Sequence, residues 1–115
     1  MNNPSKTITQ WQTDAYENSK AHGWWEGVTL DVNTTLAKLA LIHSEVSEAL
    51  EGVRVGAPEY EEVKGKPEGV GIELADVLIR IFDLAEAKGY DLEKCLAIKH
   101  AYNVSRPHRH GGKLA

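Results

Sequence analysis

Residues 71–89, GIELADVLIRIFDLAEAKG, set the tightest limit on what this chain can fold into. Ile72, Leu74, Ala75, Val77, Leu78, Ile79, Ile81, Phe82, Leu84 and Ala85 cover nearly the whole circumference of the helix they form, so that helix must be packed on several sides. Positions three or four apart share a helix face, and at that spacing Glu73, Asp76, Arg80 and Asp83 make one narrow polar stripe. Packing on several sides leaves the stripe partly enclosed. Arg80 is expected to pair with Asp76 or Asp83 along the same helix.

A second segment repeats the device. The spacing predicts a helix over 33–53, with Leu36, Leu39, Ile42, Val46, Ala49, Leu50 and Val53 on one face and Glu45 and Glu48 at its edge. A single pair of this kind is commonly a solvated helix face. Two such pairs on antiparallel neighbours can converge, and four clustered carboxylates repel one another and are costly to desolvate. A hard divalent cation relieves both problems. A sulfur-free carboxylate set suits Mg²⁺, with Mn²⁺ as a substitute and waters completing the shell.

The rest of the chain reads as helical. A helix is predicted over 5–22, carrying Ile8, Trp11, Ala15, Asn18 and His22, with Ser5 as N-cap and Gly23 as its end. The stretch GWWEGVTLDVN connects it to the second helix, and GAPEYEEVKGKPEG reads as a loop. The third helix is placed at 69–88 and the fourth at 92–104, with Asp91 as N-cap and Pro107 closing it. No alternating strand is apparent. The expected fold class is all-α, an antiparallel four-helix-bundle-like protomer in a single domain over 1–115. That domain divides into an N-terminal helix and aromatic connection (1–30), the acid-bearing helices and their successor (31–104), and a basic tail (105–115). Cys95, the one cysteine, is expected as a small core filler, and His43 as a hydrogen-bonded core histidine.

The net charge of −4 argues against broad nucleic-acid binding, although acids dominate residues 45–93 and the tail is basic. No run approaches the roughly 20 apolar residues of a membrane span, and the polar N-terminus lacks the apolar region of a secretory signal. A cytoplasmic protein without membrane partners is the expectation. His108 and His110 lie in a tail that reads as mobile or solvated rather than as a metal chelate.

The segments SEVSEALE and GIELADVLIRIFDLA together resemble the MazG-like all-α nucleoside triphosphate pyrophosphohydrolases. The signature of that family, Glu-x-x-Glu followed by Glu-x-x-Asp, falls here on Glu45, Glu48, Glu73 and Asp76. The likeness runs over roughly residues 31–113. The stretch IKHAYNVSRPHRHGGK is similar to the family's Lys-x-x-x-Asn-x-x-Arg arrangement, on Lys99, Asn103 and Arg106. The resemblance implies hydrolysis of a nucleoside triphosphate between its α and β phosphates, with the four acids holding Mg²⁺. It implies Glu45 or Glu48 as the residue that orients or deprotonates the water, and Lys99, Asn103 and Arg106 facing the phosphates. It further implies a homodimer or homotetramer. Trp24 and Trp25 offer rings for base stacking or for core filling, and Lys38 is placed to reach a phosphate or to pair with an acid. A phosphoribosyl-ATP pyrophosphohydrolase is a sibling reading, and a non-catalytic helical interaction module is one from another class.

Overall fold

The computed structural model describes residues 5–114, apart from the side chain of His110. In chain order the elements are α1 (Ile8–Ala21), α2 (Val32–Arg54), a hairpin of β1 (Glu61–Val63) and β2 (Lys66–Glu68), α3 (Val70–Lys88), α4 (Leu92–Ser105) and a short α5 (Arg109–Gly112). The described chain is thus mostly helical. Both α1 and α2 pack along α3, while α4 meets α1 and makes no comparable packing on α2 or α3.

Caps explain where most helices begin. Thr7, not Ser5, caps α1: its hydroxyl accepts from the Gln10 N–H while the Gln10 side chain accepts from the Thr7 N–H, a reciprocal capping box. Asp31 caps α2 by accepting from the Thr34 N–H at 2.8 Å, and this bond lowers its carboxyl pKa. Asp91 caps α4 as expected, accepting from the Lys94 N–H at 3.0 Å.

α3 starts differently. Gly69 has φ +126° and no side-chain cap. The N–H groups of Val70 and Gly71 instead donate to the carbonyls of Pro58 and Glu59 at 2.8 and 2.9 Å. The incoming chain therefore crosses the helix start so closely that a Cβ on Gly69 would lie 2.5 Å from the Glu59 carbonyl oxygen.

Residues 61–68 correct the sequence reading, which sees only a loop there. Glu61, Glu62 and Val63 pair antiparallel with Glu68, Pro67 and Lys66. Lys64 (φ +53°) and Gly65 (φ +79°) supply the two positive φ values that a type I′ hairpin turn requires. Three-residue strands whose residues are exposed apart from half-buried Glu68 carry no apolar alternation, so the hydrophobic pattern gives no sign of them.

The buried apolar residues are Ala15 on α1, Ala49 on α2 and Phe82, Leu84 and Ala85 on α3. One polar residue joins them. Buried Gln12 donates from Nε2 to Glu86 Oε1 and to the Tyr90 carbonyl, and its Oε1 accepts from the Leu92 N–H. This knot ties α1 to the end of α3 and the start of α4.

The protomer is otherwise open. Its radius of gyration is 16.7 Å, against about 13 Å for a compact chain of this length. No residue of α4 is buried, and Cys95 is exposed rather than in a core. The apolar face predicted for α2 divides in two. Ile42 and Ala49 turn towards α3, whereas Leu36, Leu39, Val46, Leu50 and Val53 are exposed, as is His43 beside them. A stripe that broad cannot all face one neighbouring helix. Among the described residues no helix is long and apolar enough to cross a membrane.

Candidate metal centre

Three of the four predicted acids meet where α2 crosses the first turns of α3. Glu45, Glu73 and Asp76 each offer a carboxylate oxygen, and these oxygens lie within 4.8 Å of one another. The geometry follows from spacing: Glu73 and Asp76 are one turn apart on α3, and Glu45 arrives from the side of α2 that also carries Ala49. The Glu45 side chain is only 17% exposed.

The electrostatics match a crowded anionic site. Burial is the largest influence raising the Glu73 pKa, followed by the charges of Asp76, Glu45 and Glu48. Burial also leads for Asp76, with Glu45 adding to the rise and Arg80 and Lys66 opposing it. Asp76 is exposed as a whole residue, yet its carboxylate lies within the cluster, where the neighbouring charges act on it directly. Glu48 is exposed and stands outside the close triad, although its charge is felt at Glu73.

Arg80 does not pair along its own helix. Its Nε donates across to Glu45 Oε1 at 2.9 Å. Asp83, one of the partners expected for it, accepts instead from the Trp25 indole N–H at 2.9 Å. The less solvated Glu45 offers Arg80 a charge-assisted bond between helices. Sequence spacing along one helix cannot show this contact, because the partner comes from another element. The same holds for Lys66, which the hairpin brings close enough to lower the pKa of both Glu73 and Asp76.

Two turns along α2 from Glu45, towards the helix N-terminus, Lys38 belongs to a second group. The Lys38 ammonium sits 4.6 Å above the Trp25 ring, and the Tyr16 ring meets Trp25 edge-on at 5.9 Å. Trp25 is therefore half-buried and held on three sides, while Trp24 is 69% exposed. Lys38 thus faces an aromatic ring rather than an acid.

Lys99 and Asn103 lie on α4, whereas Arg106, expected on the same helical face, is its C-cap with extended backbone (φ −78°, ψ 151°). Lys99 Nζ and Arg106 Cζ lie 5.0 and 5.5 Å from the Tyr102 ring centre. Among the described residues of one protomer neither cation forms an ion pair with the acids, and α4 does not pack on the helices that carry them. The protomer alone does not complete the constellation expected from sequence.

As chemistry, three hard oxygen donors from two helices, with the pKa of Glu73 and of Asp76 raised in a way that a cation would reverse, are a donor set suited to Mg²⁺ or Mn²⁺. Compared with protein-family models, curated proteins and solved structures, the chain matches none.

Proposed function

We propose that this protein is a Mg²⁺-dependent nucleoside triphosphate pyrophosphohydrolase that cleaves between the α and β phosphates. The observation that carries the reading is the convergence of Glu45, Glu73 and Asp76 into one cluster of carboxylates, two of them with raised pKa. The motif resemblance on Glu45, Glu48, Glu73 and Asp76 supports it from the sequence side.

Glu45, Glu73 and Asp76 would hold the ion. A divalent cation bound there neutralises triphosphate charge and lowers the pKa of water. Glu48, exposed beside the triad, is free to orient a water and accept its proton as the oxygen adds to the α-phosphorus and the bond to the bridging oxygen breaks. Pyrophosphate departs with the bonding electrons. Lys99 and Arg106 would balance its charge, with Asn103 beside them, and α4 reaching the acids of another chain in a homodimer or homotetramer would bring them there. Exposed Trp24 is the freer ring for a nucleobase, since Lys38 already covers a face of Trp25. Lys38, whose ammonium covers Trp25, lies about 10 Å along α2 from Glu45.

Incubation with a panel of nucleoside triphosphates and Mg²⁺, with products resolved, tests the proposal. Monophosphate and pyrophosphate are expected, and Glu73→Gln and Asp76→Asn should lose turnover while remaining folded. Orthophosphate release, or no Mg²⁺-dependent turnover across the panel and phosphoribosyl-ATP, would overturn it. The absence of any Mg²⁺-dependent nucleotide affinity would favour a helical interaction module instead.

A further inference from the structure

Residues 94–114 carry Lys94, Lys99, Arg106, Arg109 and Lys113 and no acid. Among the described residues neither Lys99 nor Arg106 forms an ion pair. What the two share is a ring: Lys99 Nζ and Arg106 Cζ both lie over Tyr102, at 5.0 and 5.5 Å from its centre. Lys99 stands three residues before Tyr102, on the same helix face. Arg106 reaches the ring from past the helix end, on the extended backbone that Pro107 favours in the residue before it. From Glu93 to Arg109 every residue is exposed except Arg106, which is half-buried.

We propose that Tyr102 is a positioning residue for a polyphosphate chain, its ring gathering Lys99 and Arg106 into a pair of cations that the chain can bridge. Two like charges held near one point repel each other, and helical register does not hold Arg106, so without the ring the two would drift apart in solvent. An acid in place of the ring would also gather them, but it would neutralise them and repel an incoming anion. An aromatic face attracts cations through its quadrupole and leaves their net charge intact. Two ordered cations with uncompensated charge match a ligand that carries several negative charges close together. Linked phosphates have that form: the Arg106 guanidinium offers a fork of donors to one phosphate, and the Lys99 ammonium a point charge to its neighbour. A lone carboxylate has too little charge to use both. The proposal rests on the pyrophosphohydrolase reading for the identity of the natural substrate, whereas the grouping of ring and cations is independent of the acid site.

Calorimetric titration of the full chain with inorganic tripolyphosphate, in low-salt buffer containing Mg²⁺, tests this. Wild type should bind, and Tyr102→Leu should bind about 10-fold more weakly. Its circular dichroism should be unchanged, since Tyr102 is 54% exposed. Tyr102→Phe keeps the ring without the hydroxyl and should recover most of the loss. Tyr90→Leu removes a ring that a single lysine, Lys88, covers at 5.9 Å, and should bind as wild type. Without ligand, the ring-current shifts on the Lys99 and Arg106 side-chain protons should vanish in Tyr102→Leu. With a nucleoside triphosphate, Tyr102→Leu should lower kcat/KM about 10-fold and Tyr102→Phe should restore it. A wild type indifferent to tripolyphosphate, a leucine variant that binds it equally well, or no rescue by phenylalanine would overturn the proposal. If the leucine variant fails to fold, wild type decides: tripolyphosphate should shift the Arg106 Nε–H resonance, and no shift counts against the site. The two readings fail separately. Ring-dependent binding in a protein without turnover removes the pyrophosphohydrolase alone, and turnover indifferent to Tyr102→Leu removes the positioning role alone.

Discussion

Arg80 and Glu45 join the two acid-bearing helices, the guanidinium Nε of one donating to the carboxylate of the other at 2.9 Å. The pair stands at the edge of the carboxylate cluster, so Arg80 partly balances a charge that a divalent ion would also balance. The two compete for Glu45.

Replacing Arg80 with Gln should therefore expose that competition. The metal-free variant is expected to melt a few degrees below wild type, since a half-exposed ion pair contributes less than about 1 kcal/mol. On Mg²⁺ addition the variant should gain more than wild type does, because Glu45 no longer has to leave a cation. Differential scanning calorimetry with and without Mg²⁺ checks this; an equal gain in both proteins would contradict it.

The raised pKa values of Glu73 and Asp76 fix a pH dependence. Both groups bind protons more readily in the folded chain than in the unfolded one. As pH rises from the ordinary carboxylate range through their raised folded values, stability is lost, and the full penalty is present at neutral pH without metal. Glu73→Gln and Asp76→Asn are expected to raise the melting temperature in EDTA at pH 7 by about 1–3 °C each. Near pH 3.5, where wild type is itself largely protonated, the advantage should fade. Mg²⁺ should reverse the order at pH 7.

Two glycines with positive φ separate strain from collision. Gly65 sits in the hairpin turn, where an added methyl group would meet only open space, so Gly65→Ala should cost about 1 kcal/mol from backbone strain. Gly69→Ala adds a contact of 2.5 Å to the Glu59 carbonyl and should cost about 3 kcal/mol or more. Urea melts of the two variants measure the difference; equal effects would mean that residues 58–59 do not hold the start of α3 as described.

Trp25 offers a check on the packing between Lys38 and Asp83. Trp25→Phe keeps a ring beneath Lys38 but removes the indole donor to Asp83, and should cost about 1–2 kcal/mol. Trp24→Phe, at an exposed position, should change stability by less than about 0.5 kcal/mol. Acrylamide quenching of each single variant reports which ring remains accessible.

Much of this arrangement is legible in the chain itself, and the gaps have physical causes. The limits of α3 and the Asp91 cap follow from local rules that involve a few adjacent residues. Glu45, Glu73 and Asp76 come together because Glu73 and Asp76 sit one turn apart on α3 and Glu45 shares with Ala49 the side of α2 that meets it. The apolar pattern marks neither packing side: most of the α2 stripe is exposed, and α3, expected to be packed on several sides, leaves Leu74, Leu78 and Ile79 exposed. Glu48 falls outside because a residue one turn along α2 rotates away from the crossing. The influences of Arg80 and Lys66 are invisible in sequence because they arise between elements. Apolar neighbours suggest a core for His43 and Cys95, yet those neighbours are exposed in one chain, and periodicity does not say whether a stripe is covered by the same molecule.

The dependence of α1 and α2 on α3 has a consequence for how the protomer comes apart. With Phe82, Leu84 and Ala85 central to the buried apolar set, amide protons in that stretch should be the last to exchange with deuterium, at the cost of opening the whole molecule. The second half of α4, with nothing resting on it, should exchange through local fraying long before. A chain built this way loses its periphery piecemeal and its spine all at once.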